Sequence, residues 1–574
     1  MSSEVPNTNY LWCSVIAKTL EKCGLEEAVI CPGSRSTPLV YGFARESSVE
    51  ATSVLDERSA AFFALGMART SGKPVALVCT SGTAVANFLP AVIEASESGT
   101  PLLLLTADRP SELRNCSAGQ TIDQVKIYGS YVRHFHELPV PENDLSLLRS
   151  VRQQIAFAYD QTLGSNPGPV HLNLPFRDPL PPIAEKDFIP VLARSDLASF
   201  TKLPAAKLEA ASTTLDLEGA FAAKKGIVLI GPCNLASNER ATWIENVSAF
   251  CTQLNWPVMA DALSPVRLSR VSFPGLVGTY DLVCRSSSRP EVPEAVIVIG
   301  DMPTSKVLRQ WLSEVEPELL IVSKMNRHGD PVAARSKNLY HDFGTGALTL
   351  LSERGDGEYK KAWLNIDAAM RDCIDSEQQS ISDLEEHRVA WSMCRSLPTN
   401  ATLCVSNSMV PRDLEFFATP RQSEIEVFSS RGANGIDGIL STALGVAKDR
   451  KNTYLLTGDL ALLHDSNGGL IGKGAAIDLT VVVVNNDGGG IFEMLPVSNC
   501  GPEFETYFGT PQSVDFEKWA ELYGFDYCPI SDWEQFESEI AKSVAGLRLI
   551  EIKTSRKNSA SARKKFIEEL VVEL

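Results

Sequence analysis

Short runs of Val, Ile and Leu alternate along the chain with longer amphipathic stretches. Runs at 28–31, 75–79 and 102–106 are apolar without alternation. They read as strands buried on both faces of a parallel sheet. The stretches between them have helical length and period, which predicts an α/β fold with helices on both faces. The break Pro179-Leu180-Pro181-Pro182 closes a first block. A second block carries apolar runs at 226–231, 295–300 and 319–322, and a polar stretch near 352–358 ends it. The third block opens with a polar helix over about 359–380 and repeats strand signals at 402–405, 453–456 and 479–484. The expectation is three doubly wound domains with mainly parallel sheets, over 1–184, 185–352 and 353–574. There is no short-period repeat and no low-complexity tract.

A length of 574 residues suits three to four domains. Apolar residues at 44% and charged residues at 22% exclude a mostly disordered or membrane-embedded chain. No apolar run approaches the roughly 18 residues of a spanning helix. The first residues lack a basic region followed by an apolar core, so no secretory signal is expected. The balance of 71 acidic against 53 basic residues gives −18, which disfavours nucleic acid and anionic membrane as partners. A local arginine cluster can still hold an anionic substrate. The 13 cysteines include no CxxC pair, which points to a reducing cytoplasm. His134 and His136 form an HxH without a second cluster, and an ordinary strand pair is the expectation.

The sharpest chemical signal lies in the third block. A strand runs into Gly458-Asp459-Leu460, and 24 residues later another ends in Asn485-Asn486-Asp487-Gly488-Gly489-Gly490. Open α/β sheets bind ligands at strand C-terminal ends. Asp459, the Asn486 side chain and a carbonyl of the glycine turn (Gly488) offer the hard oxygens that magnesium prefers. The segment 465–474 is expected to aim a helix N-terminus at phosphates. Taken singly, Asp459 reads as a helix cap and the glycines as a tight turn. The pair at this spacing resembles the thiamine diphosphate signature, GDG followed by NN, with Leu460 in place of its last glycine.

That resemblance implies a glutamate that hydrogen-bonds the cofactor's aminopyrimidine. A strand expected at 51–55 leads into Asp56-Glu57-Arg58 and a helix, which makes Glu57 the candidate. By itself Glu57 reads as a first-turn glutamate favoured by the helix dipole. The run Arg431-Gly432-Ala433-Asn434-Gly435-Ile436-Asp437-Gly438 suits a loop approaching a flat ring, and Ile436 is the residue expected under the cofactor's bend. Gly435, Gly458, Leu460, Gly488 and Ile491 complete the expected cofactor contacts.

Together with the loop Cys31-Pro32-Gly33-Ser34-Arg35 and Thr106-Ala107-Asp108-Arg109-Pro110, these motifs make the chain similar to the 2-succinyl-5-enolpyruvyl-6-hydroxy-3-cyclohexene-1-carboxylate (SEPHCHC) synthase family. The resemblance spans nearly the whole chain, densest in the first and third blocks. It implies the thiamine diphosphate-binding fold, thiamine diphosphate and Mg2+ (or Mn2+) as cofactors, and a transferase of menaquinone or phylloquinone biosynthesis. The family decarboxylates 2-oxoglutarate, and the succinyl carbanion adds to isochorismate in a 1,4 sense. It also implies a cytoplasmic homodimer or homotetramer with sites shared between subunits. By motif position, Ser34, Arg35, Arg109, Gln120, Ser408, Arg412 and Arg431 resemble the family's substrate contacts, and Phe492 and Leu495 its apolar wall. Arginines suit dianionic substrates because they clamp carboxylates bidentately. Lys306 matches a basic family position; some members follow it with arginine, where this chain has Val307 and, further on, Arg309. The chain lacks the adjacent His-His pair of simple 2-oxo acid decarboxylases, which suits carbon–carbon bond formation. The alternatives are another thiamine diphosphate carboligase of acetolactate synthase type, a 2-oxo acid decarboxylase, or a noncatalytic relative. A dinucleotide dehydrogenase fits poorly, because no GxGxxG directly follows a strand.

Overall fold

Strands form where the apolar runs lie, and every interstrand pairing within the three large sheets is parallel. The structure is a computed structural model that describes all residues except 1–4, 205–212, 216, 218, 223, 270–272, 352–354, 356, 420–423, 475 and 574. Two compact units emerge. The first comprises 1–208, 432–446 and 467–474; the second comprises 209–431, 447–466 and 475–574.

The first unit holds a six-stranded sheet of β1 (Glu27–Ile30), β2 (Glu50–Ser53), β3 (Val75–Cys79), β4 (Leu102–Asp108), β5 (His134–Glu137) and β6 (Val170–Pro175), ordered β2-β1-β3-β4-β6-β5. β3, β4 and β6 are buried along their whole length; β3 and the start of β4 are unbroken apolar runs, while β6 buries His171 and Asn173 between its apolar residues. Helix Thr8–Cys23 covers one face, contributing Leu11, Trp12, Val15, Ile16 and Leu20 to the core. β2 is an exposed edge strand that ends at Ser53, short of the expected 51–55. Asp56 then caps the next helix, accepting the N–H groups of Arg58 and Ser59, so Glu57 is that helix's first residue. The His134 and His136 rings stack at 6.3 Å along β5, and His134 also meets Phe157 edge-on, which is a strand-pair arrangement.

The second unit holds two such sheets. β8 (Gly226–Ile230), β9 (Val258–Ala260), β10 (Leu276–Val277), β11 (Ala295–Ile299), β12 (Glu318–Ser323) and β13 (Arg335–Tyr340) are ordered β10-β9-β8-β11-β12-β13. This is the 3-2-1-4-5-6 winding of dinucleotide folds, without their glycine fingerprint. A small pair joins β7 (Thr213–Leu215) to β14 (Leu348–Leu350). The other sheet contains β15 (Ala401–Val405), β16 (Ile425–Ser429), β17 (Thr453–Gly458), β18 (Leu479–Asn485), β19 (Asp526–Pro529) and β20 (Leu547–Lys553). Its order, β16-β15-β17-β18-β20-β19, repeats that of the first unit strand for strand.

Helix Glu358–Ser380 forms where the polar helix over about 359–380 is expected. Its buried Tyr359, Trp363, Met370 and Ile374 join the core formed by Ile227, Val296 and Leu319 of the central sheet. The same core takes in Trp391 and Phe417, so the central and last sheets share apolar packing. The boundary expected at 352–353 lies outside the described residues.

Two contacts in the fold yield tests. In the first unit, helix Glu57–Ser71 crosses helix Ile439–Ala447 at backbone distance: a Cβ on Gly445 would lie 2.1 Å from the Phe63 carbonyl oxygen. Gly445→Ala should therefore destabilise the protein by about 1–3 kcal/mol, the usual cost of overpacking, read as a lower unfolding midpoint. In the second unit, Glu415 is buried beside Arg267 and receives the Ala262 N–H at 2.8 Å. Burial, reinforced by Asp261, raises its pKa from 4.5 to about 8. The native state then holds a proton that the unfolded chain releases, so this stabilising contribution is complete below about pH 4.5 and fades as pH rises toward 8. Glu415→Gln should flatten that fall in denaturant titrations between pH 5 and 8.

Candidate active site

In each sheet of the shared order, the chain first winds to one side and then to the other. The reversal lies between β1 and β3 in one sheet and between β15 and β17 in the other. Ligands of open α/β sheets bind at such switch points. Several of the candidate residues follow strands of these two sheets, and each unit is described by itself.

In the first unit, the loop after β1 touches the loop after β3. A Cβ on Gly33 would lie 2.3 Å from Thr80 Cβ, so only glycine allows this approach. Ser34 is exposed, and its carbonyl accepts the Thr37 N–H at 3.1 Å. Arg35 donates from Nη1 to the Phe176 carbonyl at 2.9 Å, and its buried Nε has no partner. Arg109 donates to the Gln120 carbonyl at 2.8 Å and to Ser81 Oγ. Its pKa is lowered by burial first and then by the charge of Arg35, so two guanidinium groups are held as neighbours. An anion relieves that repulsion. Gln120 adopts φ +56, and its Nε2 donates to the Ser81 carbonyl at 3.0 Å. Beneath them, Asp108 accepts from Arg114 at 2.9 Å and Asn173 at 2.8 Å, a buried frame that fixes the end of β4.

Glu57 is half-buried at the N-terminus of its helix. Burial pushes the Cys31 and Cys79 thiols up; at Cys31 the next cause is the charge of Glu57, and at Cys79 Glu57 follows Cys31. The loop carrying Gly435 and Ile436 is anchored in the same unit: buried Glu94 accepts the N–H groups of Gly432 at 2.9 Å and Ala433 at 2.6 Å. Gly438 adopts φ +61, and a Cβ there would lie 1.9 Å from the Phe62 ring, on the helix that begins with Glu57. Ile436 is half-buried.

In the second unit, the two signature motifs are joined by one carboxylate. Asp459 Oδ1 accepts the Leu460 N–H at 2.7 Å, and Oδ2 accepts the Gly488 N–H at 2.9 Å. Burial raises its pKa to about 6 against the pull of these two backbone donors. The helix following β17 starts at Asp459 itself, with Gly458 as its cap, and a further six-residue helix, Gly469–Gly474, begins within the expected 465–474. Asn486 donates from Nδ2 to Glu386 Oε1 at 2.6 Å, while its Oδ1 is buried without a partner. Gly488 adopts φ +144, and a Cβ there would lie 2.1 Å from the Gly509 carbonyl oxygen. A carboxylate, an unpartnered carboxamide oxygen and a tight-turn carbonyl fit a hard divalent cation. Ile491 and Phe492 lie half-buried in the short helix Gly490–Glu493, with Phe492 edge-on to Phe508. Leu495 is exposed just beyond.

The remaining candidates of this unit are spread over two sheets. Ser408 follows β15 with φ +74, strained for a serine, and its carbonyl accepts from the exposed Arg412. Arg431 follows β16 and donates to Asn407 Oδ1 at 2.6 Å. Lys306 is exposed at the start of helix Lys306–Val315, after the central strand β11. Arg309 is committed to the Pro303 carbonyl at 2.8 Å and the Met302 carbonyl at 3.3 Å, and so closes its own loop. Sequence reasoning missed Glu94, Glu386 and Asn407. Each acts on a residue distant in sequence or buried from view, and no local spacing announces it.

Comparison with known proteins identifies the family. Models described as thiamine pyrophosphate enzyme N-terminal, middle and C-terminal domains match residues 13–127, 201–405 and 418–552. A SEPHCHC synthase of Gloeothece citriformis (strain PCC 7424) is 43% identical over 571 residues, covering 98% of both chains. Those of Trichodesmium erythraeum (strain IMS101) and Acaryochloris marina (strain MBIC 11017) are 41% and 42% identical over 575 and 591 residues, covering 98% and 100% of both chains. With motifs, sheet order and near-full-length similarity in agreement, the chain belongs to the thiamine pyrophosphate enzymes and, within them, to the SEPHCHC synthase family.

Proposed function

We propose that this chain decarboxylates 2-oxoglutarate and joins the remaining four-carbon unit to isochorismate by 1,4-addition. The product is 2-succinyl-5-enolpyruvyl-6-hydroxy-3-cyclohexene-1-carboxylate, on the route to menaquinone or phylloquinone. The observation that carries the reading is the Asp459 carboxylate bound to the Gly488 N–H, beside the buried free oxygen of Asn486. It ties both halves of the thiamine diphosphate signature into one oxygen-lined site.

Bound thiamine diphosphate supplies the electron sink for decarboxylation. Asp459, Asn486 Oδ1 and the Gly488 carbonyl would hold Mg2+ or Mn2+. Gly458, Leu460 and Ile491 line the same edge. Glu57 would hydrogen-bond the pyrimidine ring, and Gly435 and Ile436 would support the cofactor. Arg35 and Arg109, with Gln120 and Ser34, receive carboxylates of the substrates; Arg412, Arg431, Ser408 and Lys306 supply further polar contacts. Phe492 and Leu495 exclude water from the reacting carbons, which protects against wasteful protonation. The enzyme acts in the cytoplasm as a homodimer or homotetramer with sites shared between subunits, and its domains are 1–184, 185–352 and 353–574. Among the described residues, no helix is long and apolar enough to cross a membrane.

Purified protein with thiamine diphosphate, Mg2+, 2-oxoglutarate and isochorismate should form a succinylated adduct, seen by mass spectrometry, that requires all four. Turnover of pyruvate in place of 2-oxoglutarate would reassign the chain to another carboligase. Glu57→Gln should lower the adduct rate by about 100-fold or more, the scale of a lost acid–base group, with an unchanged unfolding midpoint. Asp459→Asn turns one acceptor oxygen into a donor facing Leu460 or Gly488 N–H. It should weaken Mn2+ binding in the presence of thiamine diphosphate by at least about 10-fold, read by isothermal titration.

A further inference from the structure

The helix Arg556–Glu573 grips the loop that carries Asn486, through two arginines two turns apart on one face. Arg556 donates from Nη1 to the Asp487 carbonyl at 3.0 Å and from Nε to Glu493 at 3.1 Å, and it also bonds Glu505. Arg563 is buried. It pairs with Asp413 at 2.7 and 2.9 Å and donates to Glu386 Oε2 at 3.2 Å. Glu386 is buried too, and its other oxygen takes the Asn486 Nδ2 at 2.6 Å.

A carboxylate accepts hydrogen bonds and donates none. Facing Asn486, it can be met only by the NH2 end of the carboxamide. The amide cannot turn over without setting oxygen against oxygen. Asn486 Oδ1 is thereby left on the opposite side, buried and unpartnered. We propose that Glu386, held by Arg563 and through it by Asp413, is a positioning residue that fixes Asn486 Oδ1 as a cation ligand, while Arg556 holds the adjoining turn. The inference rests on the metal reading proposed above. It assigns the helix Arg556–Glu573, which lies beyond the matched C-terminal family domain at 418–552, a part in the cation site.

The test follows Mn2+ binding to the full chain in the presence of thiamine diphosphate by electron paramagnetic resonance. It uses the wild type, Glu386→Gln, Asn486→Ala and the double variant. Glu386→Gln should weaken Mn2+ binding by about 10- to 100-fold, the range for a lost outer partner of a metal ligand. In the Asn486→Ala background the same change should cost less than about 3-fold, because its effect passes through Asn486. Wild-type affinity in Glu386→Gln, or an equal loss with and without Asn486, overturns the proposal. Should Glu386→Gln fail to fold, Arg563→Lys keeps the charge near Asp413 but loses the fork to Glu386. It should weaken Mn2+ binding by about 10-fold, and an unchanged affinity again overturns the proposal. Equal Mn2+ affinity in the wild type and Asn486→Ala would sink the metal reading and the inference together, an outcome distinct from a silent Glu386→Gln beside a weakened Asn486→Ala.

Discussion

Parallel strand pairing is the constraint on which the molecule depends. Each crossover must return the chain to the same edge, so every loop that follows a strand collects on one side of its sheet. In the last sheet this brings the ends of β17 and β18 together, and the Asp459 carboxylate fastens them at the Gly488 N–H. In the first sheet the same constraint gathers Arg35, Arg109 and Glu57 on one edge. These candidate residues thus sit at strand ends, with glycines where two backbones nearly touch, as at Gly488 against the Gly509 carbonyl.

Electrostatics works against the average of the chain. The protein is strongly acidic, yet Arg35 and Arg109 are neighbours whose repulsion lowers the charge-holding capacity of Arg109. Asp108 and Asp178 pull the other way, so carboxylates of the protein itself partly compensate the pair. Deeper in the structure, buried charges are paired rather than isolated, as in Arg563 with Asp413 and Glu386. Breaking one partner of such a group leaves an uncompensated charge in a medium that solvates it poorly.

Much of this was legible in the sequence, for a physical reason. Fully buried parallel strands announce themselves as unbroken apolar runs, and the residue just past such a run is where chemistry sits. Asp459 and Asn486 stand out that way as candidates, and Arg35 through the resemblance of its loop. The edge strand β2 was placed too far along, because an exposed strand has no apolar signature. The helix Gly469–Gly474 falls inside the expected 465–474, whereas the helix start at Asp459 has a glycine cap and no side-chain cap bond to mark it. The helix Glu358–Ser380 looked polar in sequence, yet its spaced Tyr359, Trp363, Met370 and Ile374 complete the central core. Glu386 lies 100 residues from Asn486, and no local pattern encodes their hydrogen bond. The strand order common to two sheets was equally invisible, because winding leaves no period in the residues.

That common winding has a consequence for how such a protein can change. Two sheets with the same order present equivalent sockets at equivalent strand ends. The socket after β17 is filled by an acidic helix start, and its counterpart after β3 by Thr80-Ser81-Gly82, which contacts Gly33, Gln120 and Arg109. New specificity can therefore arise by exchanging short loops between or within the sheets while the strands stay as they are. To an engineer, the chain offers two copies of one chassis, already fitted with different tools.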